Sequence, residues 1–464
     1  MADRPEKFDA VLLGAGQANN PLSRSLARAG RRVALIEKGK IGGTCVNVGC
    51  TPTKTMAASA RVAHLARRAR DFGVHTGPVA VRLQEVRART GAIVEEFSAG
   101  SERQLEEAEG VELIRGEGWF TGPRTVRVEL NGGGVRELSG ELVVIDVGCR
   151  PARPEIPGLD SAPWLDSTRI LGLEATPDHL LVLGGGYIGV EFAQMFRRFG
   201  SRVTLVQKGG QLLRREDPDM AEALAEILRE DGVEVILDAK ATRVAGSAQE
   251  IRLTVEVDGR SRELTASHLM VATGRTPNTE SLNLTAAGVR TDDRGFIPVD
   301  VRLETNVPGV YALGDVNGGP AFTHVSHNDN QILRENLLHD AGRTTAGRLV
   351  PFTVFTDPQF GRVGLTEKEA RERGRRVRIA RLPMSQVARA LEIGESRGIL
   401  KAVVDAETDL ILGCTALAVE GGEIMSMVQL AMMGGLPYQR LRDDMFSHPT
   451  LARGLNNLFA HLEE

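Results

Sequence analysis

Apolar residues divide the chain into short strand-like runs and longer helical stretches, and one arrangement of them occurs twice. An apolar run at residues 8–13 leads into Gly14-Ala15-Gly16, a helix-like stretch to Gly30, and a second run at 32–37 that ends on Glu37. The order returns at 179–183, with Gly184-Gly185-Gly186-Tyr187-Ile188-Gly189, a helix-like stretch to Gly200, and a run at 202–207 that ends on Gln207. Each copy reads as strand, glycine turn, helix, strand, which is a βαβ unit. The spacing from first glycine to last strand residue is the same in both, Gly14 to Glu37 and Gly184 to Gln207.

Between the copies the pattern predicts helix over roughly 52–110 and then short strands. Pro151, Pro154 and Pro157 break the chain there, and Gly274-Arg275-Thr276-Pro277 breaks it again after the second copy. From Pro351 onward the glycine fingerprint is absent. Strand-like runs at 398–404 and 410–418 and helices at 422–433 and 451–462 predict an α+β domain. The expected architecture is α/β: two Rossmann-like dinucleotide-binding domains plus a C-terminal α+β domain. The first would take residues 1–150 and 277–345, the second 151–276, and the last 346–464.

Composition narrows the function classes without adding chemistry. With 42% hydrophobic and 25% charged residues in 464, the chain reads as an ordinary globular protein. It is large enough to hold a core without disulfide staples. A net charge of −4 gives no overall drive toward nucleic acid. The arginine-rich stretches at 67–70 and 371–378 read as solvated helix face or loop. The first ten residues, MADRPEKFDA, lack an apolar signal core, and no apolar run is long enough to span a membrane. Four cysteines make no disulfide framework, so a cytoplasmic location is expected, with neither nucleic-acid nor membrane partner.

The candidate chemistry lies in the turns. Gly14 permits a tight turn, Gly16 admits a pyrophosphate close to the backbone, and the helix N-terminus faces that anion. Glu37, at the end of the second strand, is placed to hydrogen-bond a ribose. Asn19 stands where the third glycine belongs, and a side chain there is expected to cost packing. Gly184, Gly186 and Gly189 form the complete version. After the first unit comes Cys45, then Cys50 with four residues between them, then Pro52, which puts Cys50 near a helix N-terminus where a thiolate is favoured. A zinc site would need two more ligands. Cys149 and Cys414 are isolated and no histidine spacing completes a set, so no metal site is expected.

The segment Cys45–Lys54, with Glu37, residues 184–191, Thr273-Gly274-Arg275, Ala312-Leu313-Gly314-Asp315 and His448-Pro449-Thr450, resembles the class I pyridine nucleotide-disulfide oxidoreductases, on the mercuric-reductase-like branch. The resemblance spans the chain. It implies FAD on the first βαβ unit and NADPH or NADH on the second. It implies that Cys50 contacts the flavin, that Cys45 attacks the substrate, and that Lys54 pairs with Glu191 beside the flavin. Gly43, Thr44, Gly118, Gly148, Gly314 and Asp315 are implied FAD contacts, and Gly274 and Arg275 cofactor contacts. A homodimer is implied, with His448 completing the partner's active site. The acceptor would be a disulfide, an oxidised-sulfur compound or a soft metal.

Gln207 carries no charge where an NADH enzyme usually has an acid, and Lys208 and Arg214 follow, which favours NADPH. Five other residues depart from the family pattern, among them His327 and Asn330, which stand where related sequences often carry tyrosines near the flavin. Arg453 stands where a dyad acid is expected five residues after the histidine, Asp146 replaces a neutral residue before Gly148, and Asn19 replaces a glycine. A cation near His448 would disfavour imidazolium. The tail carries no cysteine pair, which makes mercuric ion reduction the second reading. A low-turnover flavin-binding redox sensor or degenerate homologue is the third.

Overall fold

The computed structural model describes residues 4–247 and 249–462. The chain folds as two compact units. One takes in the segment up to Thr55, Ala88–Ala152 and Gly274–Arg348; the other takes in Met56–Arg87, Arg153–Thr273 and the chain from Leu349 on.

In the first unit β1 (Glu6–Leu13), α1 (Asn19–Arg28) and β2 (Val33–Glu37) form the first βαβ unit. β1 pairs in parallel with β2, Ala10 opposite Val33 and Leu13 opposite Ile36. On its other side β1 pairs in parallel with β5 (Val135–Ile145). β3 (Val111–Gly122) and β4 (Thr125–Leu130) extend the sheet from β2, and the strand Val310–Ala312 flanks β5. Alternation assigns the faces, because successive strand side chains point to opposite sides. Ala10 and Leu12 pack with Leu22 and Leu26 of α1 and with Ile332 and Leu333 of the helix Thr323–His339. Val11 and Leu13 pack on the opposite face with Ile36, Ile114 and Phe120.

Two further helices carry the cysteine segment: α2 (Gly43–Val48) and α3 (Cys50–Arg68), separated by Gly49 alone. A Cβ on Gly49 would sit 2.8 Å from the Thr44 carbonyl, so only glycine allows this junction. The helix anticipated over 52–110 is two helices, α3 and Leu83–Glu106, with a 3-10 turn at Ala69–Phe72 between them. The two chain breaks are partners. Cys149–Pro151 and Arg275–Pro277 pair antiparallel, with Arg275 opposite Pro151.

In the second unit the other βαβ copy sits in a five-stranded parallel sheet, ordered Val233–Ile236, Arg202–Val206, His179–Leu183, His268–Val271, Trp164–Leu165. Its helix is Tyr187–Phe199. The C-terminal segment forms a five-stranded antiparallel sheet, ordered Phe352–Val354, Gln359–Gly364, Ile411–Ala418, Ile399–Asp405, Val377–Pro383. The helices Gly421–Met433, Tyr438–Asp443 and Gly454–Ala460 contribute to the same core. This mixed α/β architecture is the one the hydrophobic pattern predicts.

Arg67 and Arg68 correct the reading of their stretch as a solvated face. Arg67 Nη1 donates to the Arg198 carbonyl at 2.5 Å and Arg68 Nη2 to the Gly394 carbonyl at 2.7 Å. The 371–378 stretch is surface ion pairing, as between Arg371 and Glu367 or Arg376 and Glu407. No helix among the described residues is long and apolar enough to cross a membrane.

Candidate active site

The first glycine turn is built against Asp146. Gly14 has φ +88°, and a Cβ there would lie 2.4 Å from the Asp146 carbonyl oxygen. A Cβ on Gly16 would lie 2.6 Å from Asp146 Oδ2. Glu37 closes the turn from β2: Oε2 accepts from Ala15 N at 2.9 Å and Oε1 from Gly39 N at 2.7 Å. Asn19 does not splay the helix away. Its Nδ2 donates to the carbonyls of Leu13 (3.2 Å), Gly14 (3.0 Å) and Val144 (3.2 Å), which ties α1 to β1 and β5. The amide thus replaces the close contact a glycine would give, at the cost of a buried Oδ1 with no partner.

Several features of this cradle fit FAD. Among the described residues, the N–H groups of Gly16 and Gln17 have no acceptor, so the turn keeps two donors for a diphosphate. Gly43, at φ +62°, has its Cβ position 3.1 Å from Gly16 Cα, so the two backbones form one narrow wall. Gly148, at φ +64°, has open space on its Cβ side. Gly314, at φ +69°, has no room for a side chain, since a Cβ would meet Ser326 Oγ at 2.6 Å. Asp315 follows it; burial raises its carboxyl pKa and Arg275, 3.6 Å away, opposes that. Gly118 is a packing glycine on β3, its Cβ position 2.8 Å from Leu13 Cδ2.

The cysteine pair lies on two helix starts of the same unit. Cys45 is on α2, Cys50 is the first residue of α3, and both are thiols in this structure. Asn47 Nδ2 bonds the carbonyls of Ile41 and Gly43, each at 3.0 Å, and fixes the loop beneath Thr44 and Cys45. Cys50 Sγ hydrogen-bonds Thr323 Oγ1 at 3.4 Å. Thr323 is the first residue of the helix Thr323–His339, so a second helix N-terminus faces the sulfur pair. The hydrogen bond to Cys50, burial and the charge on Cys50 all push the Cys45 thiol up; the Thr323 hydroxyl and the Lys54 ammonium pull it down. A negative charge on Cys50 therefore makes Cys45 the harder thiol to deprotonate. Nothing in the spacing of the cysteines points to Thr323, which lies 273 residues away from Cys50.

In the second unit the fingerprint is complete in space. Gly184 has φ +114° and a Cβ position 2.5 Å from the Ala272 carbonyl oxygen; that of Gly189 is 1.8 Å from the Gly184 carbonyl oxygen. Gly186 is open on its Cβ side. Gln207 Oε1 accepts from Gly185 N at 3.0 Å and its Nε2 donates to the Gln211 carbonyl at 3.1 Å, so the amide braces the turn. Lys208 and Arg214 are exposed and make no ion pair among the described residues. Tyr187, unnoticed in the sequence, stacks on Phe352 at 4.9 Å and donates to Glu216 Oε1 at 3.0 Å. Burial pushes Glu216 up to about 7, with Arg362 and the Tyr187 hydroxyl opposing.

Glu191, on the helix Tyr187–Phe199, is buried and accepts from Phe355 N at 2.7 Å. Lys54 belongs to the first unit and Glu191 to the second. Gly274 has φ +153°, and Arg275 Nη2 donates to the Cys149 carbonyl at 2.6 Å. His448 is exposed and, among the described residues, makes no hydrogen bond or ion pair. Arg453 turns along its own helix, with Nη1 on Asn456 Oδ1 at 2.8 Å and Asn457 Oδ1 at 3.3 Å. Among the described residues, no group of three or more His, Cys, Asp or Glu side chains could hold a metal ion.

Two family models match this chain. Pyridine nucleotide-disulphide oxidoreductase covers residues 8–329, and the dimerisation domain of the same family covers 350–458. The chain belongs to the pyridine nucleotide-disulphide oxidoreductase family, whose enzymes use FAD with NAD(P)H as electron donor. It is 39% identical to the probable pyridine nucleotide-disulfide oxidoreductase RclA of Escherichia coli, over 98% of this chain and 99% of that one. It is 36% identical to a mercuric reductase of Bacillus cereus, over 97% of this chain and 70% of that one. Among solved structures, the Cu(II) complex of the HOCl-induced flavoprotein disulfide reductase RclA from Escherichia coli superimposes with TM-score 0.89 at 38% identity, covering 98% of this chain and 99% of that one. The matched dimerisation domain supports a homodimer.

Proposed function

We propose that this flavoprotein passes electrons from NAD(P)H through the Cys45–Cys50 pair to a soft-metal, disulfide or oxidised-sulfur acceptor. The observation that carries the reading is the sulfur pair itself: two cysteines at adjoining helix starts, joined through Cys50 to the hydroxyl of Thr323 at 3.4 Å. The Cu(II) complex of the RclA relative supports a soft metal as the first acceptor to try.

In this reading residues 1–150 and 277–345 hold FAD, 151–276 hold the nicotinamide nucleotide, and 346–464 make the dimer contact. Gly14, Gly16, Glu37, Gly43, Thr44, Gly118, Gly148, Gly314 and Asp315 belong to the FAD site. Gly184, Gly186, Gly189, Gln207, Lys208 and Arg214 belong to the nucleotide site, and Gly274 and Arg275 are further cofactor contacts. FAD, when bound, supplies the hydride-accepting centre that converts nicotinamide oxidation into reduction of sulfur. Two electrons and one proton open the Cys45–Cys50 bond to one thiol and one thiolate. Thr323 and the two helix N-termini stabilise the thiolate, and Lys54 keeps positive charge near the pair. Cys45 then attacks a disulfide acceptor, its proton passing by way of His448 of the partner subunit to the first thiolate released, and Cys50 displaces the second thiolate and re-forms the bond. With Cu(II), the pair gives up its remaining proton to solvent and ligates the metal as a dithiolate, and two Cu(II) ions each take one electron as the disulfide closes. Four cysteines in 464 residues, too few for a disulfide framework, fit a reducing cytoplasm.

Turnover with Cu(II), Hg(II), glutathione disulfide and an oxidised-sulfur compound, each with wild type and Cys45→Ser, tests the reading. It requires at least one of them to be reduced in a Cys45-dependent manner. Replacing Thr323 with Val is expected to slow iodoacetamide alkylation of the reduced pair at pH 7 severalfold and to move its pH profile upward, since the hydroxyl lowers the pair's titration. An unchanged profile would remove Thr323 from the account. Lys208→Glu with Arg214→Ala is expected to weaken NADPH by about tenfold or more relative to NADH, because a charge-assisted contact contributes roughly 1.5–3 kcal/mol. Equal losses for both nucleotides would show that neither cation meets a 2′-phosphate.

A further inference from the structure

The two departures from the dinucleotide fingerprint, Asn19 and Asp146, are separated by 127 residues and meet in the structure. Asp146 follows the last residue of β5 and is 7% exposed. Its Oδ2 accepts from Ala18 N at 3.1 Å and Asn19 N at 2.9 Å, so the carboxylate caps α1 from another strand. The same carboxylate fills the space beside Gly16 and approaches Gly314, whose Cβ position is 3.2 Å from Oδ1.

Three carboxylates share this part of the cradle, and they are not equivalent. Asp329, on the helix Thr323–His339, is ion-paired with Arg348 at 2.6 Å and accepts from Gly314 N at 2.9 Å. Asp315 has Arg275 at 3.6 Å. Among the described residues Asp146 pairs with no arginine or lysine; its partners are backbone N–H groups, and the charges facing it are Asp315 and Asp329. Burial, followed by those two carboxylates, pushes Asp146 up to about 8, while the two N–H groups oppose the rise. The free N–H groups of Gly16 and Gln17 that would hold the FAD diphosphate lie in the same turn. A diphosphate there brings a further anion against a carboxylate that no cation compensates, in a site with little water to screen it.

We propose that FAD binding and a proton on Asp146 are coupled: the cofactor is held by the form of the cradle in which Asp146 is neutral. Bound FAD and the Asp146 carboxylate repel each other, so each proton that leaves Asp146 weakens FAD, and binding above the apo-protein titration takes up one proton from solvent. Asn19 belongs to the same device. Its side chain holds the turn closed on β1 and β5 through three carbonyls, which keeps the carboxylate against Gly16 instead of letting the helix shift away.

The test is FAD affinity against pH. The full-length holoenzyme is stripped of FAD and titrated with it between pH 6 and 9 by flavin fluorescence and by calorimetry in two buffers of different ionisation enthalpy. Wild type is expected to bind FAD with constant affinity below about pH 7 and to lose affinity toward about tenfold per pH unit above pH 8, with a proton taken up at pH 9. Asp146→Asn, which keeps an oxygen for Ala18 N and Asn19 N, is expected to bind FAD without that slope and more tightly than wild type at pH 9. Asn19→Gly, which removes the three carbonyl contacts that hold the turn against the carboxylate, is expected to flatten the slope. A wild-type protein whose FAD affinity is flat with no proton uptake overturns the proposal, and so does an Asp146→Asn protein with the wild-type slope. If Asp146→Asn fails to fold, Asp146→Ser takes its place, and the calorimetric proton count on wild type still decides.

Discussion

Cys45→Ser and Cys50→Ser are each expected to lower acceptor turnover by about 1,000-fold or more, while NAD(P)H still bleaches the flavin at close to the wild-type rate. The dissociation of the two half-reactions follows from where the sulfurs act. The nucleotide fingerprint of Gly184, Gly186 and Gly189 lies in the second unit and involves neither cysteine, so delivery of electrons to the cofactor is independent of them. In the proposed mechanism the acceptor half-reaction needs both sulfurs, because one attacks and the other releases the product. Serine preserves the size of the side chain but supplies neither a thiolate at pH 7 nor a partner for a disulfide. Stopped-flow absorbance under anaerobic conditions measures the first half-reaction and steady-state acceptor loss the second. Near-normal acceptor turnover in either variant would mean that electrons go to the acceptor directly from the flavin.

The largest expected effect on stability is at Lys401. Its side chain is 3% exposed, and its ammonium lies 3.0 Å from Asp217, 2.8 Å from Asp219 and 3.0 Å from Glu367. Burial alone would raise Asp219 and Glu367; Lys401, with the arginines beside it, holds both below the usual carboxylate range. Lys401→Met leaves these carboxylates without their shared buried cation, a loss of about 3–5 kcal/mol. The sign of the pH dependence distinguishes this cause from lost packing. In wild type the depressed carboxylates contribute stability that is present above about pH 4 and lost as pH falls through their lowered values. In the variant the same groups rise, so they destabilise near neutrality and are relieved by protonation. The difference between the two proteins is therefore expected to be greatest at pH 7 and to shrink toward pH 4 in urea unfolding followed by circular dichroism. A pH-independent difference would assign the effect to the missing aliphatic stem.

What could be read from the sequence was what is local and periodic. Both glycine fingerprints and their flanking strands follow from spacing alone, because the turn needs Gly14 and Gly184 at positive φ and the strands alternate faces. The cysteine segment is equally legible, since Cys45, Gly49, Cys50 and Pro52 lie within one short stretch. Contacts between distant segments were not legible. Asn19 looked like a packing defect because its three carbonyl partners belong to β1, its following turn and β5. Arg67 and Arg68 looked like surface charge because the carbonyls they meet, those of Arg198 and Gly394, are far along the chain. The strand Val377–Pro383 was missed because Arg378 and Arg381 interrupt its apolar run; both find carboxylate partners, Asp409 for the first and Asp219 for the second. Arg453 was read for its charge beside His448, whereas its guanidinium is occupied by Asn456 and Asn457.

The measurement closest to the central claim is the fate of the cysteines when one equivalent of NAD(P)H is added anaerobically to the oxidised holoenzyme without acceptor. The reduced protein is alkylated in its native state and the modified residues are located by mass spectrometry. Cys45 and Cys50 are expected to become alkylated together, while Cys149 and Cys414, both buried, remain unmodified. Addition of the acceptor before alkylation is expected to protect the pair again as its bond re-forms. Oxidation of NAD(P)H with a bleached flavin and no new alkylation at Cys45 and Cys50 would contradict the account.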